Sequence, residues 1–185
     1  MAVCIVDDPD KIRLLADFTR AEILRLLGTQ PMTETQLSEQ LGLTKAAIGY
    51  HLRLLMKVGV VRIEKLEAEK HGILQKYYRP AAALFIVDLE HVPKDVRRYF
   101  IQIQVEHLIG ILSAFQLNHQ ISKISSKALE KLAKALLEQL KDVGKKYIGE
   151  ETVEEDSGAL KVKVYSEALA NLTKQNEWRT LFQKA

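Results

Sequence analysis

The sequence predicts a mainly α-helical fold with one small β-hairpin, and three observations predict it. Residues 33–58 read as two short, capped helices joined by a tight turn, and residues 60–79 read as two strand-forming runs around a second turn. From residue 94 onward, apolar positions recur at helical spacing. A chain of 185 residues that is 47% hydrophobic suits one ordinary domain or two small ones with a real core. We divide it into a first region over residues 8–80 and a second over residues 81–185.

Thr33 is a good N-cap, and Gln36 follows at the spacing of a capping box. Leu37 and Leu41 share one helix face, and Gly42 suits the left-handed backbone that ends a helix. Thr44 then caps a second helix whose apolar stripe is Ile48, Leu52 and Leu55. The opposite face carries Lys45, Ala46, Gly49, Tyr50, Arg53 and Lys57. Such a helix can dock on its own core and still enter a groove about 12 Å wide. Val60 to Leu66 is rich in β-branched residues, His71-Gly72 offers a turn, and Ile73 to Arg79 returns as a second strand.

Net charge is only +3, but its distribution is uneven. Residues 1–42 carry 4 basic and 7 acidic side chains, residues 43–80 carry 8 and 3, and residues 81–185 carry 15 and 14. The positive excess therefore lies on the second helix and the hairpin, where phosphates would sit.

A hairpin directly after the second helix of a helix-turn-helix is a wing. The Gly59-Val60-Val61 end, the hairpin and Lys76-Tyr77-Tyr78 together resemble the winged-helix domain of the ArsR-type transcriptional regulators. Upstream, the stretch from Leu15 to Leu27, with Arg20 and the Ile23-Leu24 pair, looks like the opening helices of that family. The resemblance spans roughly residues 8–80, and it is the order and spacing of individually weak motifs that make it specific. It implies a winged helix-turn-helix followed by a helical dimerisation region. The implied function is sequence-specific binding of double-stranded DNA by a homodimeric regulator. Its recognition helix, 44–58, would enter the major groove, and its wing, 60–79, would lie on the backbone or in the minor groove.

On that reading Thr44 caps the helix and offers its backbone N–H to a phosphate. Lys45 and Arg53 bond phosphates or guanine edges, and Tyr50 meets a phosphate or a thymine methyl. Ala46 and Gly49 keep the front of the helix small. One sequence does not separate base from phosphate contacts. His51 stands where the family usually has His-Leu and is expected to pack half-buried against the first helices. In the wing, Lys65, Lys70, His71 and Lys76 can reach DNA, although Glu64, Glu67 and Glu69 dilute the patch.

Many ArsR-type proteins bind metal, with thiolate ligands on the first helix of the helix-turn-helix. Here Thr35 to Gln40 holds no Cys or His. Glu106-His107 and His119 do not form the paired Asp/His set of the alternative site, and Cys4 alone is a poor soft-metal site. The resemblance thus implies the DNA-binding scaffold without the metal switch. No P-loop, dinucleotide fingerprint or His-Glu-x-x-His is present, so neither an enzyme nor a cofactor is expected.

In the second half, Pro93 can open a helix running to about Asn118. Its stripe of Ile101, Val105, Leu108, Leu112 and Phe115 is read as a dimerisation surface, or else as internal core. A second stripe is Val96, Tyr99, Phe100, Ile103 and Ile111. Another helix, capped by Ser125 or Ser126, repeats the pattern with Leu129, Ala133, Leu136, Leu140 and Val143, and Gly144 is its expected stop. Residues 149–158 hold five acids and read as an exposed loop. Lys161 to Tyr165 alternates like a strand; the expected helix runs from about Ser166 to Phe182. This half is also where an unidentified small-molecule effector would bind.

A single cysteine fits a reducing cytoplasm. The first eight residues lack the features of a signal peptide. The longest clean apolar run, Ala81 to Val87, is far short of the ~20 residues that span a bilayer. The expectation is a soluble cytoplasmic protein with no membrane partner. The rival from another class is a winged-helix interaction adaptor that has lost DNA binding. An RNA-binding variant ranks below both, because stacking aromatics for single strands are not evident.

Overall fold

A computed structural model of the chain describes residues 1–68, 74–117, 124–150 and 157–182. In order, the elements are β1 (Val3–Val6), α1 (Pro9–Leu15), α2 (Phe18–Leu27), α3 (Glu34–Leu41), α4 (Lys45–Lys57), β2 (Val61–Ala68), β3 (Leu74–Pro80) and β4 (Leu84–Val87). Then follow α5 (Lys94–Leu117), α6 (Ser126–Gly144), a 3-10 turn (Lys145–Tyr147), α7 (Ser157–Leu172) and α8 (Asn176–Phe182). These divide into two compact units, Asp10–Ala83 and Met1–Pro9 with Leu84–Ala185. The amino-terminal strand therefore belongs with the carboxyl-terminal half.

In the Asp10–Ala83 unit, local caps fix where each helix begins. Asp17 accepts from the Arg20 amide at 2.9 Å, and Arg20 Nε reaches back to the Leu14 carbonyl, tying the end of α1 to the start of α2. Thr33 and Gln36 form the full capping box, at 3.2 Å and 2.9 Å. Gly42 ends α3 at φ 65°, and Thr44 Oγ1 accepts from the Ala47 amide at 3.2 Å to open α4. Ile23, Leu27, Leu37, Ile48, Leu52 and Leu55 are fully buried and form the core where α2, α3 and α4 meet. Each such side chain stabilises the fold by about 1.5–3 kcal/mol on burial.

The hairpin pairs Val61 with Pro80 through Ala68 with Leu74, and a bulge between Ile63 and Lys65 shifts the register. Its base is held by Met32, which exchanges backbone hydrogen bonds with Tyr78 at 2.9 Å and 3.2 Å. That bridge joins the segment before α3 to the wing. The expected turn at His71-Gly72 lies outside the described residues.

The other unit contains a pair of strands that the hairpin-only expectation did not include. β1 and β4 run parallel, from Val3 beside Leu84 to Val6 beside Val87. Both pack against α6, the central helix, which also carries α5 and α7. α6 ends at Gly144, as expected, with φ −58° and not in the left-handed conformation. A Cβ there would come within 2.5 Å of Ile86 Cδ1 and 3.2 Å of Ile5 Cδ1, so the glycine lets α6 approach the strands closely.

Ile101, Leu108 and Leu112 of α5 are buried inside this unit, with Leu108 fully inaccessible, where α5 packs on α6. They are internal core and cannot also face a second chain, which corrects their reading as dimerisation residues. Val105 is half-buried, and Phe115 packs edge-on to Trp178 at 6.1 Å. Among the described helices, α5 alone is long and apolar enough to cross a membrane by length and composition. Gln102, Gln104, Glu106 and His107 punctuate it, so no uninterrupted apolar run betrays it.

The last part of the chain also departs from expectation. α7 begins at Ser157, not near Ser166, and absorbs the strand-like Lys161–Tyr165. Leu160, Val164, Ala168 and Leu172 recur every fourth residue and are buried, while Val162 is 68% exposed, so helical period wins over alternation. Of the expected acidic loop, Ser157 and Gly158 belong to α7, and residues 151–156 lie outside the described set.

Asp88, just beyond β4, is a buried carboxylate. It accepts from Lys141 Nζ at 3.0 Å, from the Glu90 amide at 3.1 Å and from His91 Nδ1 at 3.1 Å. Burial pushes its carboxyl up, but the bonds from Lys141, Glu90 and His91 together hold it below the usual aspartate range.

Candidate nucleic-acid interface

The face of α4 opposite the core is open. Thr44, Lys45, Ala46, Tyr50, Arg53 and Lys57 are all exposed, whereas Ile48, Leu52 and Leu55 point inward. Tyr50 is 54% exposed, with its ring edge-on to His51 at 5.5 Å. His51 is half-buried, as the His-Leu position implies, and its Nδ1 has no hydrogen-bond partner among the described atoms. Thr44, whose hydroxyl is used as the cap, leaves the first amides of α4 directed outward, and its first turn holds no acid. A helix start of this kind attracts an anion.

Gly49 departs from the expected front, because it is buried. Two charged groups lie over it: the place a Cβ would occupy is 3.3 Å from Arg53 Nη1 and 3.3 Å from Glu34 Oε2. The other oxygen of Glu34 accepts from the Tyr78 hydroxyl at 3.0 Å. Burial, then the bond to Glu34, push the Tyr78 phenol up to about 12. Glu34, half-buried and bonded to the buried Tyr78, thus borders this face, although the sequence gives no signal for that role. Glu34 reads only as an acid in a first turn, and its partner is 44 residues away.

The wing is weaker in charge than its lysines suggest. Lys65 Nζ lies 2.6 Å from Glu67 and 4.5 Å from the centre of the Tyr77 ring, and Arg62 lies 2.6 Å from Glu64. Lys76 is exposed on the facing strand, while Lys70 and His71 fall outside the described residues. No group of three or more Cys, His, Asp or Glu that could hold a metal occurs among the described residues; His119 lies outside them.

A capped pair of helices, the second presenting a basic face, followed at once by an antiparallel hairpin, is a winged helix-turn-helix. Residues 17–62, from the cap of α2 to the start of the hairpin, match the family described as bacterial regulatory protein, arsR family. The chain shares that match over 46 of its 185 residues. Among solved structures, it is similar to the homodimeric winged helix-turn-helix DNA-binding domain of a possible ArsR-family transcriptional regulator from Mycobacterium bovis. That likeness covers 62% of this chain and 85% of that one, at 21% identity and a TM-score of 0.33. The adhesin competence repressor of Streptococcus pyogenes is similar over 69% of this chain and 80% of that one, at 20% identity and a TM-score of 0.33. Nothing matches among the curated proteins.

Proposed function

We propose that this protein regulates transcription by binding duplex DNA as a homodimer, with α4 in the major groove and the wing on the backbone or minor groove. One observation carries the reading: α4 buries Ile48, Leu52 and Leu55 completely and turns Lys45, Tyr50, Arg53 and Lys57 to solvent. A helix needs no cationic open face to support its own core, but it needs one to approach phosphates. Thr44 and Lys45 would meet the backbone, Tyr50 and Arg53 the groove, and Lys76 the flanking phosphates.

The homodimer is supported by what α5 leaves uncovered. Only 28% of its most apolar 18-residue window is buried. Ile109 is 41% exposed and Leu117 is 82% exposed. A second copy would cover such a surface and supply a second recognition helix for a two-fold site. The test is fluorescence anisotropy with labelled duplex DNA across a salt series, paired with sedimentation. Affinity falling steeply with salt, in a dimer, is the expected result. Affinity unchanged from low to physiological salt overturns the DNA reading. A folded monomer at micromolar concentration overturns the dimer.

A further inference from the structure

We propose that the outer part of the wing meets DNA through an apolar face, with Leu66 and Leu74 seated in the minor groove and Lys76 on the adjoining phosphate. This deepens the DNA-binding reading and rests on it. It selects one groove for the wing and adds two contacts that charge alone does not suggest.

The bulge decides which side chains share that face. At the base of the hairpin Val61 lies opposite Pro80 and Ile63 opposite Tyr78, and Val61 and Tyr78 are buried. Strict alternation along β2 would continue this side with Lys65 and Glu67. Glu64 is the extra residue of the bulge, so the ladder resumes with Lys65 opposite Tyr77 and the phase reverses. Leu66 and Ala68, opposite Lys76 and Leu74, then continue the buried side, and Lys65 and Glu67 pass to the other. Contacts on that other side fit this phase. Lys65 pairs with Glu67 and lies over the Tyr77 ring, and the Tyr77 hydroxyl donates to Gln75 at 3.4 Å.

The reversal does little for the core. Leu66 is 55% exposed and Leu74 is 62% exposed, so neither gains much of what full burial would give. They are diagonal neighbours across the hairpin and form one small apolar ridge. Among the described residues of this face beyond the bulge, Lys76 carries the only charge. The described acids are kept off it, Glu67 on the opposite side and Glu64 half-buried in the bulge beside Arg62.

An apolar ridge flanked by a cation and free of acid complements a groove with sugar walls and phosphate rims. Leucine is also one of the side chains that proteins wedge into the minor groove. Only three residues separate α4 from β2, so a duplex held by α4 lies within reach of the wing. Contact through leucine excludes water but releases no counterions, so its share of the affinity does not depend on salt.

The test uses the full-length protein and the duplex it selects from a random library. Wild type is compared with Lys76→Ala and with the double variant Leu66→Thr, Leu74→Thr, in which threonine suits an exposed strand. The double variant should keep the wild-type Tm and bind about tenfold more weakly at every salt concentration, with an unchanged slope of log affinity against log salt. Lys76→Ala should instead flatten that slope by about one unit. Diaminopurine in place of adenine, in the flank beside the α4 site, adds an amino group to the minor groove alone. That change should weaken wild type and leave the double variant unaffected. Wild-type affinity in the double variant, a flattened slope in it, or indifference of wild type to diaminopurine overturns this inference while leaving the DNA reading intact. Conversion of a dimer to a monomer by the two threonines also overturns it, since a second copy would then cover the ridge. A wild-type protein that binds no duplex overturns both.

Discussion

α4 and α5 each bury one apolar stripe, yet they leave opposite kinds of surface. In α4 the stripe is Ile48, Leu52 and Leu55, and the exposed remainder holds Lys45, Tyr50, Arg53 and Lys57, with Met56 the large aliphatic side chain among them. In α5 the stripe is Ile101, Leu108 and Leu112, and the remainder still holds Ile103, Ile109 and Leu117, separated by Gln102, Glu106 and Gly110. A buried stripe alone reports only that a helix has a partner. What the helix can do next depends on the face left over, which is cationic in one case and apolar in the other.

The sharpest way to break this comparison is to attack both stripes. Leu52→Ala and Leu108→Ala should each cost about 2–5 kcal/mol in denaturant unfolding, since both side chains are fully buried. Leu108→Asp should unfold its unit. A well-folded, monomeric Leu108→Asp protein would return Leu108 to a subunit interface and undo the assignment of the stripe to internal core.

Next in size is the ion pair behind β4. Lys141→Met removes the cation from the buried Asp88 and should cost about 3 kcal/mol, read from the urea midpoint at neutral pH. The two partners set the pH window. The Asp88 pKa is lowered on folding, so its contribution is present above the ordinary aspartate value and lost as pH falls below about 4. The Lys141 pKa is raised, chiefly by its bond to Asp88, so its contribution is present below the ordinary lysine value and lost as pH climbs past it. Between those limits the difference between wild type and Lys141→Met should be flat with pH; a slope near neutrality would overturn the assignment to this pair.

Gly144→Val should cost about 1–3 kcal/mol through overpacking against Ile86 and Ile5, measured as a drop in Tm. Replacing a glycine that merely ended a helix would leave Tm nearly unchanged.

Smallest in stability, and most telling for α4, are the surface variants. Tyr50→Ala should stay within about 0.5 kcal/mol of wild type while weakening duplex binding. Lys45→Ala should reduce the slope of log affinity against log salt by about one unit if it meets one phosphate. Lys65→Ala should change that slope less than Lys76→Ala does, because Lys65 is already committed to Glu67.

Features set by neighbouring residues were legible in the sequence. Thr33, Gln36, Gly42 and Thr44 act within four residues of themselves, and each takes its expected place. The open positions on α4 followed from helical period alone, apart from Gly49, which is covered by a residue from another helix. Features set by distant partners were not legible. β1 and β4 are four residues each and meet across almost eighty residues of chain. The period of α5 marked a buried stripe correctly but could not say whether α6 or a second copy buries it. Val162 and Val164 imitate a strand because two β-branched residues two apart satisfy that pattern, and only the packing on α6 reveals the longer period.

The pairing of β1 with β4 has a further consequence for how the chain can be cut. The Asp10–Ala83 unit is an insertion, with its entry strand and its exit strand lying side by side from Val3–Leu84 to Val6–Val87. One cleavage anywhere between the two strands leaves the fragments joined by that ladder. Expressing either half by truncating at residue 83 or starting at residue 84 separates partner strands. A free recognition unit is therefore reached by excising residues 10–83 at both ends, and a free carboxyl-terminal unit by bridging Pro9 directly to Leu84.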